Sequence, residues 1–164
     1  MDSTIERHSG QGAVRQVDPP AEARARSTLA HVDYADTFVV ETARAQDRTA
    51  EQWARATLEA APEGLRKSLR VAWRALGARL GPTDDARFVL GWPVRQSAPD
   101  FVLLGGTSWL GMQAELLLER REDSLLFATF VQHDTPFTRL VWAFVERPHV
   151  RVVRHVLEQA RRRP

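Results

Sequence analysis

The chain has 164 residues, 43% hydrophobic, 27% charged and 8% aromatic, which is the size and composition of one globular domain with a substantial core. The absence of cysteine excludes disulfides, thiolate metal sites and thiol nucleophiles. The 23 basic and 21 acidic residues nearly cancel to +2, and the basic side chains, all arginine except Lys67, are interspersed with acids, so nucleic acid is disfavoured as a partner.

No apolar run reaches the roughly 18 residues of a membrane span, and the N-terminus lacks a secretory layout, so a cytoplasmic location is expected. Residues 1–32 carry few large apolar side chains, and hold Gly10, Gly12 and Pro19-Pro20 among Ala, Arg and Glu. They read as a disordered Arg/Ala-rich leader with at most a marginal helix over 21–30, ahead of a single domain over 33–163.

A β-branched and aromatic run from Tyr34 to Glu41 predicts a first strand. Thr49 and Gln52 have capping-box spacing and predict a helix from Ala50 to about Ala60, closed by Pro62. A second helix follows from Glu63, its stripe formed by Leu65, Leu69, Ala72, Trp73, Leu76 and Leu80, with Arg66, Arg70 and Arg74 on a solvated face.

Gly81-Pro82-Thr83-Asp84-Asp85 ends this pair. Four strand-like segments come next, roughly 88–96, 101–106, 109–120 and 125–133. Turns at 97–100, 105–108 and 121–124 are too short for helical crossovers, which predicts an antiparallel meander. In the third segment Leu110, Met112, Ala114, Leu116 and Leu118 form an inner face, and Gln113, Glu115 and Glu119 a wet one. In the fourth, Leu126, Ala128 and Phe130 compete with Leu125, Phe127 and Val131 for the inner face.

A final helix runs from Pro136 nearly to the end on a stripe including Phe137, Leu140, Val141, Phe144, Val145, Val153, Val156 and Leu157. Pro148 within it predicts a kink or two abutting helices. Arg147, Arg151, Arg154 and Arg161 fall near one line, expected to face solvent.

The fold class is therefore α+β: an antiparallel sheet with one apolar face, covered by a long amphipathic helix. This order, with Asp33-Tyr34-Ala35-Asp36-Thr37-Phe38, Thr129-Phe130-Val131, Arg139 and Val145-Glu146-Arg147-Pro148-His149, resembles the helix-grip fold of the START, polyketide-cyclase and coenzyme Q-binding (SRPBCC) superfamily, and in particular a bacterial family within it. The resemblance covers residues 33 to about 163, with fewer strands than the full set. It implies a curved sheet wrapped around the C-terminal helix and an apolar cavity for a lipid, polyketide or similar hydrophobic molecule. It implies no single reaction, because that superfamily includes carriers, cyclases, hydrolases and plain binders.

Expected lining residues are Tyr34, Phe38, Trp92, Met112, Phe127, Val131, Phe137 and Phe144, with Trp109 a further aromatic at a strand position. The histidines His8, His31, His133, His149 and His155 lack metal-ligand spacing, so neither metal nor cofactor is expected. His133, with Asp134 or Asp36 to orient it and Tyr34 or Arg139 to hold an oxyanion, forms the catalytic alternative, a cyclase or hydratase. Against it, Asp134 or Thr135 reads as the cap of the final helix and His133 as a half-exposed strand end. Arg139 is expected to pair with Asp36 or Asp134, and Gly105-Gly106-Thr107-Ser108-Trp109 lacks the frame of a nucleophile loop or phosphate cradle. Binding of a hydrophobic small molecule is favoured over catalysis, a filled-core interaction protein ranks last, and a homodimer stays open.

Overall fold

The structure is a computed structural model and describes residues 14–163. Seven strands, β1 (Val14–Val17), β2 (Tyr34–Glu41), β3 (Phe88–Val89), β4 (Trp92–Ser97), β5 (Phe101–Ser108), β6 (Met112–Arg120) and β7 (Ser124–His133), pair antiparallel in the order β1-β2-β7-β6-β5-β4-β3. Among the described residues four α-helices accompany them, α1 (Ala21–Ala25), α2 (Ala50–Leu58), α3 (Glu63–Ala75) and α4 (Pro136–Arg161), with a 3-10 turn at Ala45–Asp47. No helix among the described residues is long and apolar enough to cross a membrane.

Local signals formed the elements they predict. The Thr49 hydroxyl accepts from the Gln52 backbone N–H at 3.2 Å, and the Thr49 N–H donates to the Gln52 side chain at 2.9 Å, closing both halves of the capping box. Thr135, with Pro136 at the first helical position, caps α4 by accepting from Thr138 N–H at 3.2 Å. The turns at 97–100 and 121–124 stand where expected. Residues 105–108 do not turn: they continue β5, and the reversal falls at 109–111, where Gly111 adopts φ 90°.

The strand number is larger than expected. β3 and β4 are separated by Leu90 and Gly91 at positive φ, and β1 comes from the region read as a leader. Residues 14–32 are thus built into the domain, while 1–13 lie outside the described residues. β1 extends the sheet beyond β2 with Val14 opposite Val40.

The rest of this segment crosses the outer face of the sheet as a strap. Leu29 and Val32 pack with Ala23 on Leu103, Leu117, Leu126, Ala128 and Phe130. Both faces of β7 are consequently buried, with Leu125, Phe127 and Val131 inward and Leu126, Ala128 and Phe130 under the strap.

The strap also overturns the wet face assigned to β6. Glu115 is 0% exposed, and its carboxylate accepts from Ser27 Oγ at 2.6 Å, Thr28 N–H at 3.1 Å, the Thr28 hydroxyl, and Arg95 Nη1 at 3.0 Å. Arg95 sits at the register shift between Val94 and Gln96 and its side chain lies across Gly105, the residue opposite Glu115, where any Cβ would collide with the guanidinium. Glu119 pairs with Arg26 at 2.9 Å, and the Gln132 side-chain oxygen accepts from Ala30 N–H at 2.9 Å. Buried polar residues on this face are therefore anchors for the strap.

α4 is one unbroken helix through Pro148, so of the kink or two abutting helices expected there the second is not formed. The proline removes the donor for the Phe144 carbonyl, and at exposed Phe144 water can satisfy that group. The inward stripe of its first half is Thr138, Trp142, Val145 and His149, so Phe137, Leu140 and Phe144 point outward. Phe144 is 77% exposed and Phe137 57%, which removes both from the expected lining. Thr138 and Trp142 each stand one residue beyond the expected Phe137 and Val141, about 100° of rotation around a helix, whereas Val145, Val153, Val156 and Leu157 are inward as expected. Arg154 is exposed as a residue, as expected, but its guanidinium donates to the Val14 carbonyl at 3.0 Å and lies over the Phe38 ring.

Candidate functional site

Between the inner face of the sheet and helices α3 and α4 lie two adjoining apolar cavities of about 60 and 40 Å³. Trp73, Leu116 and His149 line both. Of the expected lining residues, Trp92, Met112 and Val131 line the larger cavity and Phe127 the smaller. Tyr34 stands behind the wall, its ring 5.1 Å from Trp142, and Phe38 is fully buried in the core beyond. Trp109 is 68% exposed in the β5–β6 turn and does not contribute.

Register explains how the wall is assembled. Residues opposite each other in an antiparallel sheet share a face, so the pairs Tyr34 with Val131, Asp36 with Thr129 and Phe38 with Phe127 all project inward. Leu116 continues the Asp36–Thr129 row onto β6. Trp92 rests on Gly106, where a Cβ would stand 3.0 Å from the indole, and meets Trp73 edge to face at 5.4 Å.

The walls are apolar, yet they hold polar atoms without protein partners. Trp92 Nε1, Trp142 Nε1 and Thr129 Oγ1 are buried with no hydrogen bond, and all three side chains line the larger cavity. Burying such a group unpaired costs about 1–3 kcal/mol. Asp36 Oδ1 is a fourth orphan beside them.

Asp36 is 2% exposed and gathers the site's polar groups. The Tyr34 hydroxyl donates to Asp36 Oδ2 at 2.8 Å, and His149 Nε2 lies 2.9 Å from the same oxygen, off the line of a hydrogen bond. Burial and the adjoining Asp36 carboxylate push the Tyr34 phenol far above its ordinary value, so it remains a donor. The Trp142 ring is 5.2 Å from His149, whose side chain is 17% exposed.

His133 is not at this centre. It is buried at the end of β7, where its backbone N–H donates to Asp33 Oδ2 at 2.7 Å and its ring lies 6.3 Å from Trp142. Burial lowers its pKa below 6.5, opposed in part by the Asp33 charge. The half-exposed position expected for it is corrected by the inward direction of its side chain opposite Met112.

Arg139 pairs with neither Asp36 nor Asp134: it reaches Asp33 at 3.3 Å from a largely exposed position and cannot hold an oxyanion inside. The catalytic alternative built on His133, Tyr34 and Arg139 therefore lacks a common centre. The structure brings Tyr34 and Asp36 together with His149 instead. On sequence His149 was visible only as one histidine of a short helical run; its i+7 spacing from Trp142 is the signal that places it on the inward face. Among the described residues, no group of three or more His, Asp and Glu is arranged to hold a metal ion.

No known family model matches this sequence, and no curated protein matches it either.

Proposed function

We propose that this chain is a helix-grip protein of the START and polyketide-cyclase type that binds a small hydrophobic molecule between the sheet and α4. The reading is carried by one observation, the pair of adjoining apolar cavities between the sheet and the helices. The order of elements supports it: a strand, a helix pair, further antiparallel strands and a long terminal helix laid over the sheet.

The cavity volumes, about 60 and 40 Å³, fall short of the roughly 300 Å³ where drug-sized sites begin. The bound molecule is accordingly compact, and a lipid chain would require α4 to move off the sheet. Benzene, a compact apolar probe of the kind buried cavities accept, tests this by saturation-transfer NMR. Binding is expected with the native chain and lost in Ala114→Leu, which fills the larger cavity. Native mass spectrometry of protein from its own host should show an organic-extractable excess mass. Bare protein that also ignores benzene would overturn the proposal.

A further inference from the structure

We infer that α4 docks the domain on an anionic lipid bilayer through the face turned away from the cavities, with Phe137, Leu140 and Phe144 entering the interface and Arg147 and Arg151 meeting the lipid headgroups. This is the opposite side of the helix from the binding reading above, and it does not depend on what the cavities hold.

The first half of α4 has two unlike sides. Thr138, Trp142 and Val145 pack towards the sheet, while Phe137, Leu140 and Phe144 are 57%, 60% and 77% exposed. Spacings of three, four and seven residues set these three within about 60° of one another around the helix. Taking about 200 Å² for a wholly exposed residue of this size, they present on the order of 400 Å². That is comparable with the largest apolar patch on a typical monomer, which is often functional. Trp109, 68% exposed, stands in the adjoining turn, whose Gly111 carbonyl accepts from the Asp134 N–H at 2.9 Å and from the Thr138 hydroxyl at 3.2 Å.

The same line of the helix continues with positive charge. Arg147 and Arg151 follow Leu140 by seven and eleven residues, which returns each to within about 20° of it around the axis. Both are exposed, and among the described residues neither has a carboxylate partner. The other charges of α4 are engaged or lie to the side. Arg139 reaches Asp33 at 3.3 Å, Arg154 donates to the Val14 carbonyl, and Glu158 accepts from the Val14 N–H and pairs with Arg161. Glu146 stands about 120° from Leu140.

Charge and area together select the occupant. Two copies of this face packed together would bury on the order of 800 Å², short of the roughly 1,200 Å² at which stable interfaces begin. They would also add four guanidiniums with no free acid on the face to meet them. Residues 1–13 offer only Met1 and Ile5 as large apolar side chains, too few to cover two phenylalanines and a leucine. An anionic bilayer supplies both halves of the match, acyl chains for the rings and phosphate oxygens for the guanidiniums.

The test is cosedimentation of the full chain with vesicles of phosphatidylcholine alone or mixed equally with phosphatidylglycerol. Binding is expected on the anionic vesicles, is expected to be much weaker on the neutral ones, and should fall as salt is raised. Each arginine at such a surface is worth about fivefold in affinity, so Arg147→Gln with Arg151→Gln should weaken binding about 25-fold. Phe144→Ser should weaken it at least tenfold. All three side chains are exposed, so thermal melts of the variants should stay near native, and Phe144→Ala replaces Phe144→Ser if the latter melts early. Sedimentation velocity without vesicles should show a monomer. No binding to anionic vesicles, equal binding to neutral ones, or binding that survives both variants overturns the proposal. A dimer that Phe144→Ser dissociates assigns the face to a second copy and overturns it as well. Benzene binding tests the cavities separately, so failure of either reading leaves the other standing.

Discussion

Replacing Glu115 by alanine should release the strap from the outer face of the sheet. The carboxylate is wholly buried and accepts from Ser27 Oγ, the Thr28 amide and hydroxyl, and Arg95, so its removal takes a partner from each and leaves Arg95 only the Thr28 hydroxyl at 3.1 Å. Removing one member of a buried ion pair costs about 3–5 kcal/mol. The Arg95 side chain is 29% exposed and regains some hydration, which places the expected loss near ~3 kcal/mol. For a domain of this size that is a drop in Tm of about 6–12 °C, and an equivalent loss in urea melts followed by tryptophan fluorescence. Hydrogen exchange at the Thr28 amide should accelerate more than exchange in β6. The double variant Glu115→Leu with Arg95→Leu should recover most of the stability, since the unpaired guanidinium is then absent. A loss under about 1 kcal/mol in Glu115→Ala, with Thr28 exchange unchanged, would refute the claim that this residue anchors the strap.

Two further outcomes are expected. Phe38→Ala should cost about 3–5 kcal/mol in denaturant melts because that ring is fully buried, whereas Phe144→Ala, 77% exposed on α4, should stay within about 0.5 kcal/mol; comparable losses would mean α4 is rotated from the orientation described. Because burial holds the His133 pKa below 6.5, the unfolded chain binds its proton first as pH falls: stability from this residue is intact above about pH 6.5 and declines below it towards the folded value. Asp33, Asp134, Arg139 and His31 all bear on that titration, so the check is a pH series of urea melts on His133→Asn against the native chain; an unchanged slope between pH 6.5 and 5 contradicts the assignment.

Local chemistry was the legible part of this sequence. Thr49 and Gln52 are three residues apart and Thr135 adjoins Pro136, so each helix start could be read without knowing what packs nearby. The antiparallel strands were legible for the same reason, since a four-residue connection excludes a crossover helix. What escaped depends on distant partners. Val14–Val17 offers four residues, and only pairing with β2 makes them a strand. Glu115 alternates with leucines as a solvent-facing residue would, and the cover that buries it comes from residues 88 positions away.

The orientation of α4 failed in a similar way. Phe137, Leu140 and Phe144 form a more hydrophobic stripe than Thr138, Trp142 and His149, yet the second set faces the sheet because the inward wall contains Asp36 and Thr129. Polar residues on the facing wall invert the ordinary hydrophobic preference in this half of the helix, and periodicity alone then selects the wrong face. Tyr34 and Asp36 were legible as inward residues of one strand, but His149 became part of the site only through the pairing geometry across 113 residues of chain.

The strap carries a consequence for the order of events during synthesis. Residues 26–31 are made before their anchors Glu115, Glu119 and Gln132, which follow only after roughly a hundred further residues. Closing loops of that length is slow relative to hairpin formation, so β5, β6 and β7 assemble first and present Leu117, Leu126 and Phe130 as a bare hydrophobic surface. Until the strap arrives, that surface is the part of the nascent domain most exposed to intermolecular association. The strap, made before the strands it covers, is thus fitted after them, and it closes the interval in which the domain is prone to aggregate.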